Sequence, residues 1–114
     1  MAFTLSQSES YTWPVVVEFP ISGGRFDKQT FDVEFRRLSQ SRISEVWDAV
    51  QGGDLTDNDL CREVVIGWAG VQDGNGTDVP YSETAKVDLL NVPLVARSIV
   101  TAWLESLAKA KRKN

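Results

Sequence analysis

Trp13, Val15, Val17, Phe19 and Ile21 alternate with Pro14, Val16, Glu18 and Pro20, the two-residue period of a strand with one buried face. Neither Pro14 nor Pro20 can donate to a ladder, which assigns this strand to a sheet edge. Phe31, Val33 and Phe35 alternate with Asp32, Glu34 and Arg36 and predict a second strand, and Ser22-Gly23-Gly24 between the two supplies the turn. The simplest pairing is an antiparallel hairpin, to which Phe3 to Leu5 can add a short third strand. A hairpin alone is marginal, so helices must cover its apolar face.

The period changes after Ser41. Ile43, Val46, Trp47 and Val50 fall at i, i+3, i+4 and i+7, with Ser41 as N-cap and Gly52-Gly53 as stop. Thr56 or Asp57 caps a second helix whose inward stripe is Leu60, Cys61, Val64, Val65 and Trp68, with Asp57 and Asp59 at its positive end. Ser82 caps a third, short helix reaching Asn91, with Val87 and Leu90 turned inward. Pro93 starts a fourth, along which Val95 or Ala96, Ile99, Trp103 and Leu107 form one stripe, while Val100 and Leu104 widen it. The expected fold class is α+β: an N-terminal antiparallel β-hairpin, with or without a third strand, followed by four α-helices packed against it.

Composition narrows the chemistry. The 114 residues, 42% hydrophobic and 25% charged, suit one domain over 1–114, with 1–10 and 109–114 as flexible ends. No apolar run approaches the roughly 20 residues of a membrane span, and MAFTLSQSES has no signal-peptide character; the expectation is a cytoplasmic, unprocessed chain without membrane contact. The sequence contains no histidine, which removes Ser-His-Asp, Cys-His and His-metal catalysis. Cys61 is the one cysteine, so no intramolecular disulfide or Cys/His zinc site can form, and the thiol reads as a small core residue. No cofactor is called for.

A net charge of −4 argues against phosphate neutralisation and hence against nucleic acid as partner. A single-strand-binding face on Phe31 and Phe35 would also need basic neighbours, whereas Asp32, Glu34 and Arg36 flank them. Charge is uneven along the chain: Glu45 to Asp88 holds ten acids and two bases, while Lys109, Lys111, Arg112 and Lys113 crowd the end. That asymmetry suits contact between copies or with a partner, and equally a solvated tail. A carboxylate-only glycosidase is chemically open to Asp54, Asp57, Asp59 and Glu63, but helix capping accounts for these acids.

The stretch Gly67 to Ser82 reads GWAGVQDGNGTDVPYS. Asp73, Asn75 and Thr77 alternate as in a calcium loop, yet Asp78 occupies the glycine position and Thr84 the position of the bidentate glutamate. Gly74-Asn75-Gly76 lacks the spacing and context of a phosphate loop. A Gly/Asn/Asp-rich turn explains the segment without a ligand.

The order TWPVVVEFP, QTFDVEFRRL, helix, GWAGVQDGNGTDVPYSE and LLNVPLV resembles the tail assembly chaperones of long-tailed bacteriophages and prophages, over most of the chain. Its most specific part is Gly67, Trp68, Gly70, Val71, Asp73, Gly76, Val79, Pro80, Tyr81 and Ser82. The resemblance implies a non-enzymatic protein of the host cytoplasm, absent from the mature virion, that keeps the tape measure protein soluble and helps recruit tail tube protein. It brings no catalytic residue. A holder of a long helical chain can offer an apolar groove, many copies acting along it. Val95, Ile99, Val100, Trp103, Leu104 and Leu107, with the hairpin edge, are the expected contacts for partner or sister copies; the same residues could instead be core. The rival is a structural tail completion or connector subunit of the virion.

Overall fold

The computed structural model describes residues 2–108. Ser10–Ile21 (β1) and Arg25–Arg36 (β2) form the hairpin, twelve residues a side and paired Ser10↔Arg36 through Ile21↔Arg25. Helices α1 (Gln40–Gln51) and α2 (Asp57–Val64) follow; then come strand β3 (Val65–Ala69) and helices α3 (Glu83–Leu90) and α4 (Val95–Leu107). The sheet is antiparallel in the order β1-β2-β3, so β1 lies at an edge, as its prolines require. The fold is α+β, with a three-stranded sheet and four helices.

The third strand is not the one expected. Phe3 to Leu5 form no strand and stay exposed; the strand comes from Val65–Ala69, which the helical spacing of Val64, Val65 and Trp68 had assigned to the second helix. Val64-Val65-Ile66 is a β-branched run followed by glycine, a poor continuation for a helix and a good start for a strand. α2 therefore passes into β3 without a loop. Ile66 is the extra residue of a bulge, since Phe35 pairs with Val65 and Glu34 with Gly67. Glycine suits position 67: a Cβ would lie 2.7 Å from Glu34 Oε1, which would have to swing aside, and 3.3 Å from Glu34 Cβ.

One sheet face carries Val15, Val17, Val33 and Phe35 into the core, against Leu60, Cys61 and Val64 of α2 and Val95, Ile99, Ala102 and Trp103 of α4. α1 and α3 add Val46 and Leu90. The caps differ in detail from the sequence expectation. Ser39, not Ser41, caps α1 by accepting from Arg42 N–H at 3.1 Å, and Thr56 with Asp59 closes a reciprocal capping box on α2. Ser82 does cap α3. Leu94, in the left-handed region at φ 76°, precedes α4, which starts two residues after Pro93.

Inward assignments fail at four positions: Ile21 and Val50, at the ends of β1 and α1, are 44% and 37% exposed, and Val87 and Trp47 join them. Val87 is 53% exposed because Lys86, one step round the short α3, shares the inner face with Leu90. Trp47 is 49% exposed, since only Val46 and part of Ile43 turn α1 toward the core.

Cys61 is fully buried, and its thiol donates to Ala96 O at 3.4 Å. Burial, aided by Asp57, pushes the thiol up to about 12 and outweighs the nearby Lys86. Its expected role as an inert packing residue fits this environment.

Candidate partner-binding groove

The α4 stripe splits along its length. Val95, Ile99 and Trp103 are buried against β1 and α2, so the structure corrects their assignment as contact surface: they seal the core. Val100 and Leu104 are half-buried, and Leu107 alone of the six is exposed, at 45%. The reason is geometric. Leu107 lies in the last turn of α4, beside Ser106, which meets the Tyr11 hydroxyl at the start of β1, so it falls at the rim of the helix–sheet interface.

At that freed end α4 and α1 form an apolar groove of about 520 Å³, lined by Ile43, Trp47, Leu104 and Leu107, with Trp103 as its floor and Asp48 at its rim. A second recess of about 750 Å³ continues from it, sharing Ile43, Trp103 and Leu107 and adding Leu5, Tyr11 and Leu38. Its wall is fixed by polar contacts. The Tyr11 hydroxyl and Ser106 Oγ are 2.7 Å apart, Ser106 Oγ donates to Trp103 O at 2.6 Å, and the Arg37 guanidinium lies 4.8 Å from the Tyr11 ring centroid. Trp47, the most exposed aromatic of the first groove, was missed as a surface residue. Its helical spacing alone gave no sign, because α1 packs through too narrow a face to bury the whole stripe.

The groove offers aliphatic and aromatic surface with a polar rim, the arrangement that accepts an amphipathic helix or an apolar side-chain pair, whereas polar side chains, among them Gln7, Glu9, Arg36 and Arg37, make up half the lining of the recess. Covering the exposed half of Trp47 or of Leu107 contributes roughly 1 kcal/mol each. That is modest for one copy and additive over many.

The segment Gly67 to Ser82 lies apart from this groove and is explained by folding. Trp68 Nε1–H donates to Val79 O at 2.8 Å, Tyr81 meets Trp68 edge-on at 5.1 Å, and the Tyr81 hydroxyl donates to Glu83 at 2.9 Å. Val79 N–H donates to Val71 O at 2.8 Å, while Asp73 Oδ1 accepts from Asn75 N–H at 2.8 Å and Thr77 N–H at 3.0 Å. Asp73 thus spends its oxygen on an Asx turn. Gly76 takes φ 79° within that turn. Gly70, at φ 85°, turns the chain away from β2 opposite Phe31. Pro80 leads into the Ser82 cap. No group of three metal-ligating side chains occurs among the described residues.

Electrostatics are local. Arg42 clamps Glu63 with two bonds of 2.8 and 2.7 Å and reaches Glu45 at 3.0 Å, tying α1 to α2. The Arg42 hydrogen bonds hold the Glu63 carboxyl below its ordinary value near 4.5. A depressed carboxylate contributes stability above that ordinary value and loses it as pH falls through the lowered one. Urea unfolding of Glu63→Gln should therefore show a deficit against the wild type at pH 7 that closes in strong acid; a deficit independent of pH would refute the assignment. The basic stretch Lys109 to Lys113 lies outside the described residues.

No single helix among the described residues is long and apolar enough to cross a membrane; α3 and α4 pass on composition only as a pair bent by 102°. No protein-family model, curated protein or solved structure matches the chain.

Proposed function

We propose that this chain is a tail assembly chaperone of a long-tailed bacteriophage or prophage, which binds the tape measure protein in the host cytoplasm, keeps it soluble and helps recruit tail tube protein, without catalysis and without entering the mature virion. The observation that carries the reading is the groove between α1 and α4, whose exposed Trp47 and Leu107 flank an apolar floor. A tape measure protein is expected to be a long helix with apolar stripes, and such a stripe laid in the groove places i, i+3 and i+4 side chains on Trp47, Leu104 and Leu107. Low affinity per copy permits displacement when tube subunits arrive, and repetition along the helix restores avidity. The resemblance in Gly67 to Ser82 supports the same reading.

Co-expression with the tape measure protein tests it. The wild type should move the tape measure from the insoluble to the soluble fraction. Trp47→Glu with Leu107→Glu should abolish that rescue, while changing stability by no more than about 0.5 kcal/mol per site, as expected for surface positions. Rescue undiminished in the double variant would exclude the groove. Mass spectrometry of purified particles distinguishes the rival: a connector subunit would be present in them, a chaperone missing.

A further inference from the structure

The charges of α4 stand at the wrong ends of the helix. Arg97 is in the first turn, beside the positive end of the helix dipole, and Glu105 is in the last, beside the negative end; no acid lies in the first turn and no base in the last. α2 shows the favourable order, with Asp57 and Asp59 first and Arg62 last. Both Arg97 and Glu105 are exposed, and neither side chain makes an ion pair among the described residues, although Arg97 shares a shallow recess with Asp57. An isolated α4 gains nothing from this placement.

Arg97, Thr101 and Glu105 fall at i, i+4 and i+8, so they form one row, with about 12 Å of helix between the two charges. The row lies away from Ile99 and Trp103, which face the core, and overlooks a furrow of about 330 Å³ between α4 and the edge strand β1. Pro14, Val16, Ser98 and Ala102 complete the lining, and Val16 is 45% exposed. Among the described residues Arg97 and Glu105 are the only charged side chains of that lining. Glu18, next in the outward row of β1, is engaged by Lys28 at 4.0 Å.

A row that reads positive, neutral, negative is complementary to itself reversed. A two-fold axis through Thr101 sets Arg97 of each copy on Glu105 of the other, and the small side chains Ser98, Thr101 and Ala102 let the helices approach. Antiparallel packing also lays the N-terminus of one α4 beside the C-terminus of the other, so each misplaced charge meets the dipole end that favours it. A parallel pair would instead oppose arginine to arginine and glutamate to glutamate.

We propose that two copies form an isologous dimer by antiparallel α4–α4 packing centred on Thr101, held by two Arg97–Glu105 ion pairs and covering Val16 at its margin. Such a contact closes at two copies. One helix face apiece is small beside the roughly 1,200–2,000 Å² buried in stable complexes, so the dimer is weak and sensitive to salt. The furrow shares no residue with the α1–α4 groove, and the dimer is independent of what that groove holds.

Sedimentation velocity on the full chain, up to about 1 mM, tests it, with circular dichroism as the check on folding. The wild type should pass from monomer to dimer and stop there, and about 1 M NaCl should return it toward monomer. Arg97→Glu and Glu105→Arg should each dimerise more weakly by roughly tenfold or more, because like charges then face each other. Each reversal relieves the dipole conflict within its own helix, so the lost dimer should come with an unchanged or higher Tm. An equimolar mixture of the two should dimerise, since every charge meets its opposite, and a chain carrying both substitutions should dimerise by itself. A wild type that stays monomeric or grows past a dimer, a dimer unmoved by salt, single reversals that dimerise like the wild type, or a mixture or doubly substituted chain that stays monomeric would each overturn the proposal. Should a reversal misfold, Thr101→Lys, which faces its own copy across the axis, should lose the dimer in its place.

Discussion

Trp103→Ala should cost about 3–5 kcal/mol and lower Tm by roughly 12 °C or more. Trp103 is 3% exposed, on the face of α4 that meets β1, and its backbone carbonyl anchors Ser106, which in turn holds Tyr11. Truncation leaves a cavity under the sheet that the rigid strands cannot collapse into, and it undercuts the floor of both groove and recess. Set against a typical total of about 5–15 kcal/mol for a domain, this loss leaves a fraction of the chain unfolded at moderate temperature. Thermal unfolding followed by circular dichroism is the measurement. A variant that melts with the wild type would show that Trp103 is not core, and would restore it as a contact residue.

Lys86→Met should cost about 2–3 kcal/mol although it replaces a charge by an apolar chain of similar length. The Lys86 ammonium is buried at the C-terminal end of α2, where carbonyls have no helical partner. It donates to Arg62 O at 3.1 Å and Val65 O at 2.8 Å, and lies 5.6 Å from the Tyr81 ring centroid. Arg36 Nε–H reaches the next carbonyl, Glu63 O, at 3.4 Å. A lysine in this place neutralises the negative end of the helix and permits the chain to switch from α2 to β3 in a single residue. Methionine would leave the buried Val65 carbonyl with only the Tyr81 hydroxyl, at 3.4 Å, and would strip the part-buried Arg62 carbonyl of its lysine donor. Urea unfolding reads the loss; equal stability of the methionine variant would mean that water serves these carbonyls.

The two predictions show what the sequence could and could not reveal. The hairpin was legible because period-two alternation needs only neighbours along the chain, and Pro14 and Pro20 also declared the edge. Caps at Thr56 and Ser82 were legible for the same local reason. β3 was hidden because Val64, Val65 and Trp68 satisfy helical spacing as well as strand alternation, and only pairing with β2 decides between them. Lys86 was hidden because a lysine among polar residues reads as surface until tertiary structure supplies a helix end to meet it. The groove was half legible: Leu104 and Leu107 stood in the stripe, but which part of α4 overhangs the sheet depends on strand length and docking. Trp47 was assigned inward by a rule that assumes a wide helix interface, which α1 lacks.

The claim that the α1–α4 groove holds a tape measure helix is tested most directly by a photo-crosslinking side chain introduced at position 47 in cells assembling tails. Irradiation should join the chain covalently to the tape measure protein, and the same probe at position 18 on the outer sheet face should not. A folded protein whose position-47 probe labels no tape measure protein, or labels it no better than position 18, would contradict the account.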